Sequence, residues 1–156
     1  MQHSVSVQEA DFDLSAEVKA LTAGNNLAGA VASFVGLVRD NNDGTGVADM
    51  TLEHYPGMTE KALDEIAIKA GERWELLGVR IIHRVGHLMP GDQIVLVVVS
   101  SPHRGNSFAA CEFIMDYLKT QAPFWKKETT AEGSRWVDAR VSDDEAMAKW
   151  RDQIGM

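Results

Sequence analysis

Two short stretches of this 156-residue chain concentrate the side chains that could handle a negatively charged reactant. The first is Ser101-Pro102-His103-Arg104, which follows a β-branched run and precedes a helical pattern. Loops between a buried strand and a helix commonly carry function. A helix N-terminus there adds backbone N–H donors to His103 and Arg104, a combination that suits phosphate or carboxylate. The second stretch, Tyr117 to Glu128, reads YLKTQAPFWKKE. Lys119 ends a helix, where the dipole favours a cation in any case. The Pro123 turn, however, can fold Lys126 back towards Lys119. Two lysines in one apolar-walled pocket depress each other's pKa and can serve as acid–base groups or hold an anion. Either stretch taken alone also reads as an ordinary solvated basic face.

The surrounding charge sharpens the contrast. The formal net charge is −8, which argues against general nucleic-acid binding, a mode driven by phosphate neutralisation. Residues 40–75 hold nine acids against three bases, whereas Lys119 through Lys127 contains no acid. An acidic protein with a small basic enclave suggests a local anion site.

Other groups offer less chemistry. His83 and His87 flank Gly86 in strand-like sequence, where a spacing of four does not place them on one helical face, so no metal site is expected. Gly44-Thr45-Gly46 is too short for a phosphate-binding glycine loop and reads as a turn. Cys111 is the only cysteine; it falls on an apolar helix face and reads as a buried structural residue. Without a second cysteine there is no internal disulfide. Asp143-Asp144-Glu145 suits a helix N-terminus and needs no catalytic role.

The elements that must position these residues follow from periodicity. Ser4 to Val7 reads as a short strand, and Ser15 as the cap of a helix ending at Gly24. Leu27 to Val38 is an almost unbroken small and β-branched run, expected to be a strand buried on both faces and closed by Arg39. A turn-forming loop from Asp40 to Gly46 precedes a strand from Val47 to Tyr55. Pro56-Gly57 then opens a helix of Thr59 to Trp74, with Leu63, Ile66, Ala67, Ala70 and Trp74 on its apolar face. Val79 to Val85 and Ile94 to Ser100 are two further strands. A helix from Asn106 to Thr120 is expected to bury Phe108, Cys111, Met115 and Leu118. Arg135 to Val137 reads as a short strand, and the capping box at Ser142 opens a final helix reaching Trp150. Residues 1–156 fit a single domain of α+β class, a mixed sheet with helices packed on it. No apolar run approaches a membrane span, and Met1 to Ser4 lacks the order of a signal peptide; a cytoplasmic protein is expected.

Together the two stretches, with others, resemble the large, catalytic subunit of the molybdopterin synthase family. The matching segments are FVGLVR (Phe34–Arg39), LEHYPGM (Leu52–Met58), HRVG (His83–Gly86), SPHR (Ser101–Arg104) and Tyr117 through Glu128. They occur in family order, and the resemblance covers roughly residues 5–150. The loop from Asp43 to Gly46 and Pro102 depart from the family pattern without touching a presumed chemical group.

The resemblance implies an α/β-hammerhead fold and a sulfurtransferase. It implies transfer of two sulfurs to cyclic pyranopterin monophosphate, giving the dithiolene of molybdopterin. The sulfur donor would be a thiocarboxylate on the C-terminal Gly-Gly of a small ubiquitin-like subunit, within a heterotetramer built on a large-subunit homodimer. Lys119 and Lys126 would be the catalytic pair. Arg39, His103 and Arg104 would hold the substrate phosphate, with the backbone of Leu37 and Val38 and residues Lys127 and Glu128 lining the pocket. The resemblance allows the His103–Arg104 pair to be supplied across the dimer interface. No cofactor, metal, nucleic acid or membrane is implied, and no catalytic cysteine is required.

Two other classes compete. A Schiff-base lysine enzyme acting on a phosphorylated carbonyl compound would use Lys119 or Lys126, and borohydride would trap its adduct without a protein partner. A non-catalytic binder of a ubiquitin-like tail would not need so concentrated an anion site, and would show no turnover.

Overall fold

In a computed structural model, which describes residues 1–39, 41–42, 45–46, 49–130, 133–137, 148 and 150, the apolar runs assemble into two four-stranded sheets and a small hairpin. The elements are β1 (Gln2–Gln8), α1 (Leu14–Thr22), β2 (Ala30–Leu37), β3 (Asn41–Asn42), β4 (Thr45–Gly46), β5 (Asp49–His54) and α2 (Met58–Arg73). They continue with β6 (Gly78–Arg84), β7 (Gly86–Leu88), β8 (Gln93–Ser101), α3 (Arg104–Thr120), β9 (Phe124–Thr130) and β10 (Gly133–Val137). The first sheet is ordered β1-β6-β8-β2, with β1 parallel to β6 and the other pairs antiparallel. The second is ordered β10-β9-β5-β7 and is antiparallel throughout. The class is α+β with one mixed sheet.

The two faces of β6 and β8 divide the core. Val79, Ile81, Val95, Val97 and Val99 pack beneath Leu63, Ile66, Ala67 and Ala70 of α2 and Ala110, Phe113 and Ile114 of α3. Ile82, Leu96 and Val98 on the reverse face meet Leu21 of α1. A strand covered on both faces has no room for a polar alternation, which is why β8 is apolar along most of its length.

Three expectations are corrected here. The run Leu27–Val38 is not buried on both faces; its strand β2 is a sheet edge, with Val31 and Phe34 each 40% and Leu37 56% exposed. An apolar edge and an apolar central strand look alike in hydropathy, and only the pairing separates them. The cap of α1 is Asp13, not Ser15: its carboxylate accepts the Ala16 N–H at 2.9 Å and also suits the positive helix end. Phe108 is 67% exposed. The buried face of α3 centres on Ser107, Ala110, Cys111, Ile114 and Leu118, which leaves Phe108 on its flank.

The strand β7 has no counterpart in the sequence reading, being only three residues long. Gly86, at φ 86°, turns the chain from the first sheet into the second, a conformation that favours glycine. The expected final helix lies outside the described residues except for Ala148 and Trp150, both helical. Trp150 is buried edge-on against Trp74 and Phe113 at 5.8 and 5.6 Å. Its indole N–H donates to Asp116 Oδ2 at 2.5 Å. The Arg73 guanidinium sits 4.5 Å from the Phe113 ring centre and 4.7 Å from that of Trp74. No helix among the described residues is long and apolar enough to cross a membrane.

Candidate functional site

The connection from β8 to α3 is only Pro102-His103, and α3 packs on β8 and β2. The helix therefore runs back along β8, and its two ends lie at opposite ends of the sheet. Arg104 begins it and Lys119 lies in its last turn, about 22 Å apart along the axis at 1.5 Å per residue.

Lys119 shares its end with the close of β2. After a register shift between Gly36 and Leu37, Leu37 pairs with Gln93 at the start of β8. Val38 is then bracketed by a turn: its N–H donates to Asp92 O at 2.9 Å, and Gly91 N–H donates to its carbonyl at 2.8 Å. Asp92 fixes that turn by accepting the Met89 N–H at 2.8 Å, and Gly91 carries φ 91°. Both backbone groups of Val38 are thus engaged within the fold, and the exposed Leu37 and Arg39 flank it.

The strand β9 starts at the same end. A three-residue connection leads from Thr120 to Phe124, and Phe124 pairs with His54, Lys126 with Leu52, Lys127 with Thr51 and Glu128 with Met50. Leu52 and Met50 are buried in the main core, so positions 126 and 128 belong to the sheet face turned towards it. Position 127 belongs to the opposite face, in one row with Thr51 and His87.

At the far end, a chain of hydroxyls shapes the loop before α3. Ser107 Oγ lies 2.6 Å from Ser101 Oγ, and Ser101 Oγ donates to the His103 carbonyl. His103 is the extended N-cap residue, and its side chain makes no capping bond. The His103 and Arg104 side chains are exposed beside the N–H groups of the first turn, which contains no acid. That end of the helix favours an anion.

The remaining candidates fall elsewhere. Cys111 is buried, and burial first, then Glu112, pushes its thiol up to about 11, so it is a neutral core group and a poor nucleophile. His83 turns into the core and stacks on Phe124, whereas His87 is exposed and meets Asp49 Oδ2 at 2.6 Å. No cluster of three possible metal ligands occurs among the described residues.

Residues 7–121 match the family model described as MoaE protein. The chain belongs to the MoaE family. It is 67% identical to the molybdopterin synthase catalytic subunit of Ralstonia nicotianae over 147 residues, which cover 94% of this chain and 84% of that one. The structure of the molybdopterin biosynthesis MoaE protein from Burkholderia ambifaria superposes with a TM-score of 0.82 at 60% identity, covering 96% of this chain and 98% of that one. The crystal structure of molybdopterin synthase from Staphylococcus aureus gives a TM-score of 0.78 at 32% identity, covering 85% and 95%.

Within this MoaE-family chain, the expected site residues form two groups. Leu37, Val38, Arg39, Lys119 and the start of the Lys126–Glu128 strand converge at one end of the first sheet. His103 and Arg104 stand at the other. Sequence reasoning did not find the Val38 bracket, although Pro90-Gly91-Asp92 is the turn that makes it. Nor did it give His83 any role beyond a rejected metal ligand.

Proposed function

We infer that this chain is the catalytic subunit of a molybdopterin synthase. It transfers sulfur from the C-terminal thiocarboxylate of a small ubiquitin-like subunit to cyclic pyranopterin monophosphate, building the dithiolene of molybdopterin. Close relationship across 94% of the chain to a subunit of that name carries the reading. The gathering of Lys119 and the Lys126 strand at one end of an acidic fold supports it chemically.

Both reactants are anions, so the site must supply positive charge and movable protons. Lys119 and Lys126 orient the thiocarboxylate, stabilise the oxyanions that develop at its carbonyl carbon, and shuttle protons as sulfur leaves. Arg39 holds the substrate phosphate from the same end. His103 and Arg104 serve the phosphate of a site whose lysines belong to a second copy, because the length of α3 separates them from their own. The exposed apolar residues Val31 and Phe34 on the β2 edge, with Phe108 on α3, support such a pairing of copies. Lys127 and Glu128 line the pocket with Leu37 and Val38. The sulfur arrives on the partner, so the buried Cys111 takes no part, and a lone buried thiol suits work in the cytoplasm.

The decisive experiment is incubation with pyranopterin monophosphate and thiocarboxylated small subunit, followed by a dithiolene assay. Product should form with the intact partner and vanish when its terminal Gly-Gly is removed. Full activity with the truncated partner, or no product with the intact one, overturns the reading.

A further inference from the structure

The HRVG segment is used by none of the chemistry above, yet its histidine reaches the site end of the fold. His83 continues the inward row of Val79 and Ile81 on β6 and is only 8% exposed. Its Nδ1 lies 2.9 Å from the Arg84 carbonyl. A carbonyl only accepts, so Nδ1 carries the proton and the ring plane is fixed. The Phe124 ring stacks on it, with centroids 3.8 Å apart and planes inclined by 22°.

Phe124 is the first residue of β9, two before Lys126. Its own N–H donates back to Ala122 O at 2.9 Å, so the turn closes directly on the first residue of the strand. The pairing of Phe124 with His54 and of Lys126 with Leu52 holds the backbone of β9 to β5, and the stack on β6 adds a side-chain hold at its first residue. Because β6 and β9 belong to different sheets, the stack also fixes one sheet against the other near the Gly86 turn.

We propose that His83 is a positioning residue: its locked ring seats Phe124, and Phe124 sets where the Lys126 strand enters the site relative to Lys119. This rests on the assignment of Lys126 to the catalytic pair, and a separate measurement distinguishes the two. If Lys126→Ala has normal turnover, that assignment fails. If Lys126→Ala is inactive while the stack can be removed freely, the positioning role fails.

The test is steady-state dithiolene formation with saturating thiocarboxylated partner by four variants: Phe124→Leu, Phe124→Tyr, His83→Leu and the double leucine variant. Misplacement of a reacting group by a fraction of its working distance costs about tenfold to hundredfold in rate. Phe124→Leu should lose kcat in that range with KM for the pterin little changed, and Phe124→Tyr should restore it. His83→Leu should match Phe124→Leu, and the double variant should be no worse than either single one, because one shared contact is lost only once. Where His83→Leu does not fold, the Phe124 pair alone decides. Unimpaired kcat in Phe124→Leu, equal loss in Phe124→Tyr, or multiplying losses in the double variant overturns the proposal.

Discussion

Arg104 and Lys119 occupy the two ends of a single helix, about 22 Å apart along its axis, and neither side chain can bridge that gap. A small substrate touched by both must lie between two copies of the chain. Arg104→Ala and Lys119→Ala should each be strongly impaired at low pterin concentration. Refolded or expressed together, they should recover activity. Random pairing makes about half of the dimers mixed, and each mixed dimer keeps one intact site, so about a quarter of wild-type activity should return. No recovery would show that the two residues do not share a site.

Lys119→Ala should all but eliminate product and leave the protein folded, since the residue is exposed at a helix end and adds little to the core. Lys119→Arg keeps the charge but should remain poor, because guanidinium does not release its proton at working pH. Lys126→Ala should be severely impaired and Lys127→Ala only mildly, as consecutive strand positions belong to opposite faces. Near-normal turnover by the arginine variant would reduce Lys119 to an electrostatic anchor.

Arg39→Ala should raise KM for the pterin about tenfold or more, with kcat less affected, through loss of charge-assisted bonds to phosphate. Affinity for the small subunit, read by titration calorimetry, should stay nearly constant. A variant that loses partner affinity and keeps its KM would move Arg39 from the phosphate to the protein interface.

The buried Cys111 predicts a feature of alkaline stability. An ordinary thiol ionises near 9.0, and this one is held neutral to about 11. Between those values the unfolded chain binds fewer protons than the folded one, so stability falls as pH rises through that window and levels off above it. The decline from this group is at most about 1.4 kcal/mol per pH unit. Urea unfolding of Cys111→Ala and the parent from pH 8 to 10.5 should show the difference in stability shifting in favour of the variant as pH rises. Parallel curves would refute this.

Much of the architecture was legible because its periodicities are unambiguous. Leu63, Ile66, Ala67 and Ala70 lie at helical spacing and are all fully buried in α2. The unbroken, largely β-branched run Ile94–Val99 and the turn residues Pro90-Gly91-Asp92 before it likewise announce β8. The edge position of β2 was not legible, since Val31 and Phe34 are as apolar as core residues and only strand pairing exposes them. The site was legible in kind, as a basic enclave. Its division was legible in part, since a helix was expected between His103-Arg104 and Lys119; only the packing of α3 along β8 shows that they reach opposite ends of the sheet. The helix turns a short separation in sequence into the length of the sheet.

The parallel pairing of β1 with β6 sets Gln2 opposite Gly78 and Gln8 opposite Arg84. A nascent chain must therefore hold its first strand without a partner until some eighty residues have been made. The end of β2 waits longer, for β8, and β9 must find β5 after α3 has formed. Contacts so distant in sequence cost loop entropy before they return any, which slows folding relative to a bundle held by local contacts. The elements that carry Arg39, Lys119 and Lys126 are consequently brought together only after most of the polypeptide exists. On the proposed assignment of these residues to the anion site, an unfinished chain displays none of it, and a partner carrying reactive sulfur has nothing to engage until synthesis is almost complete.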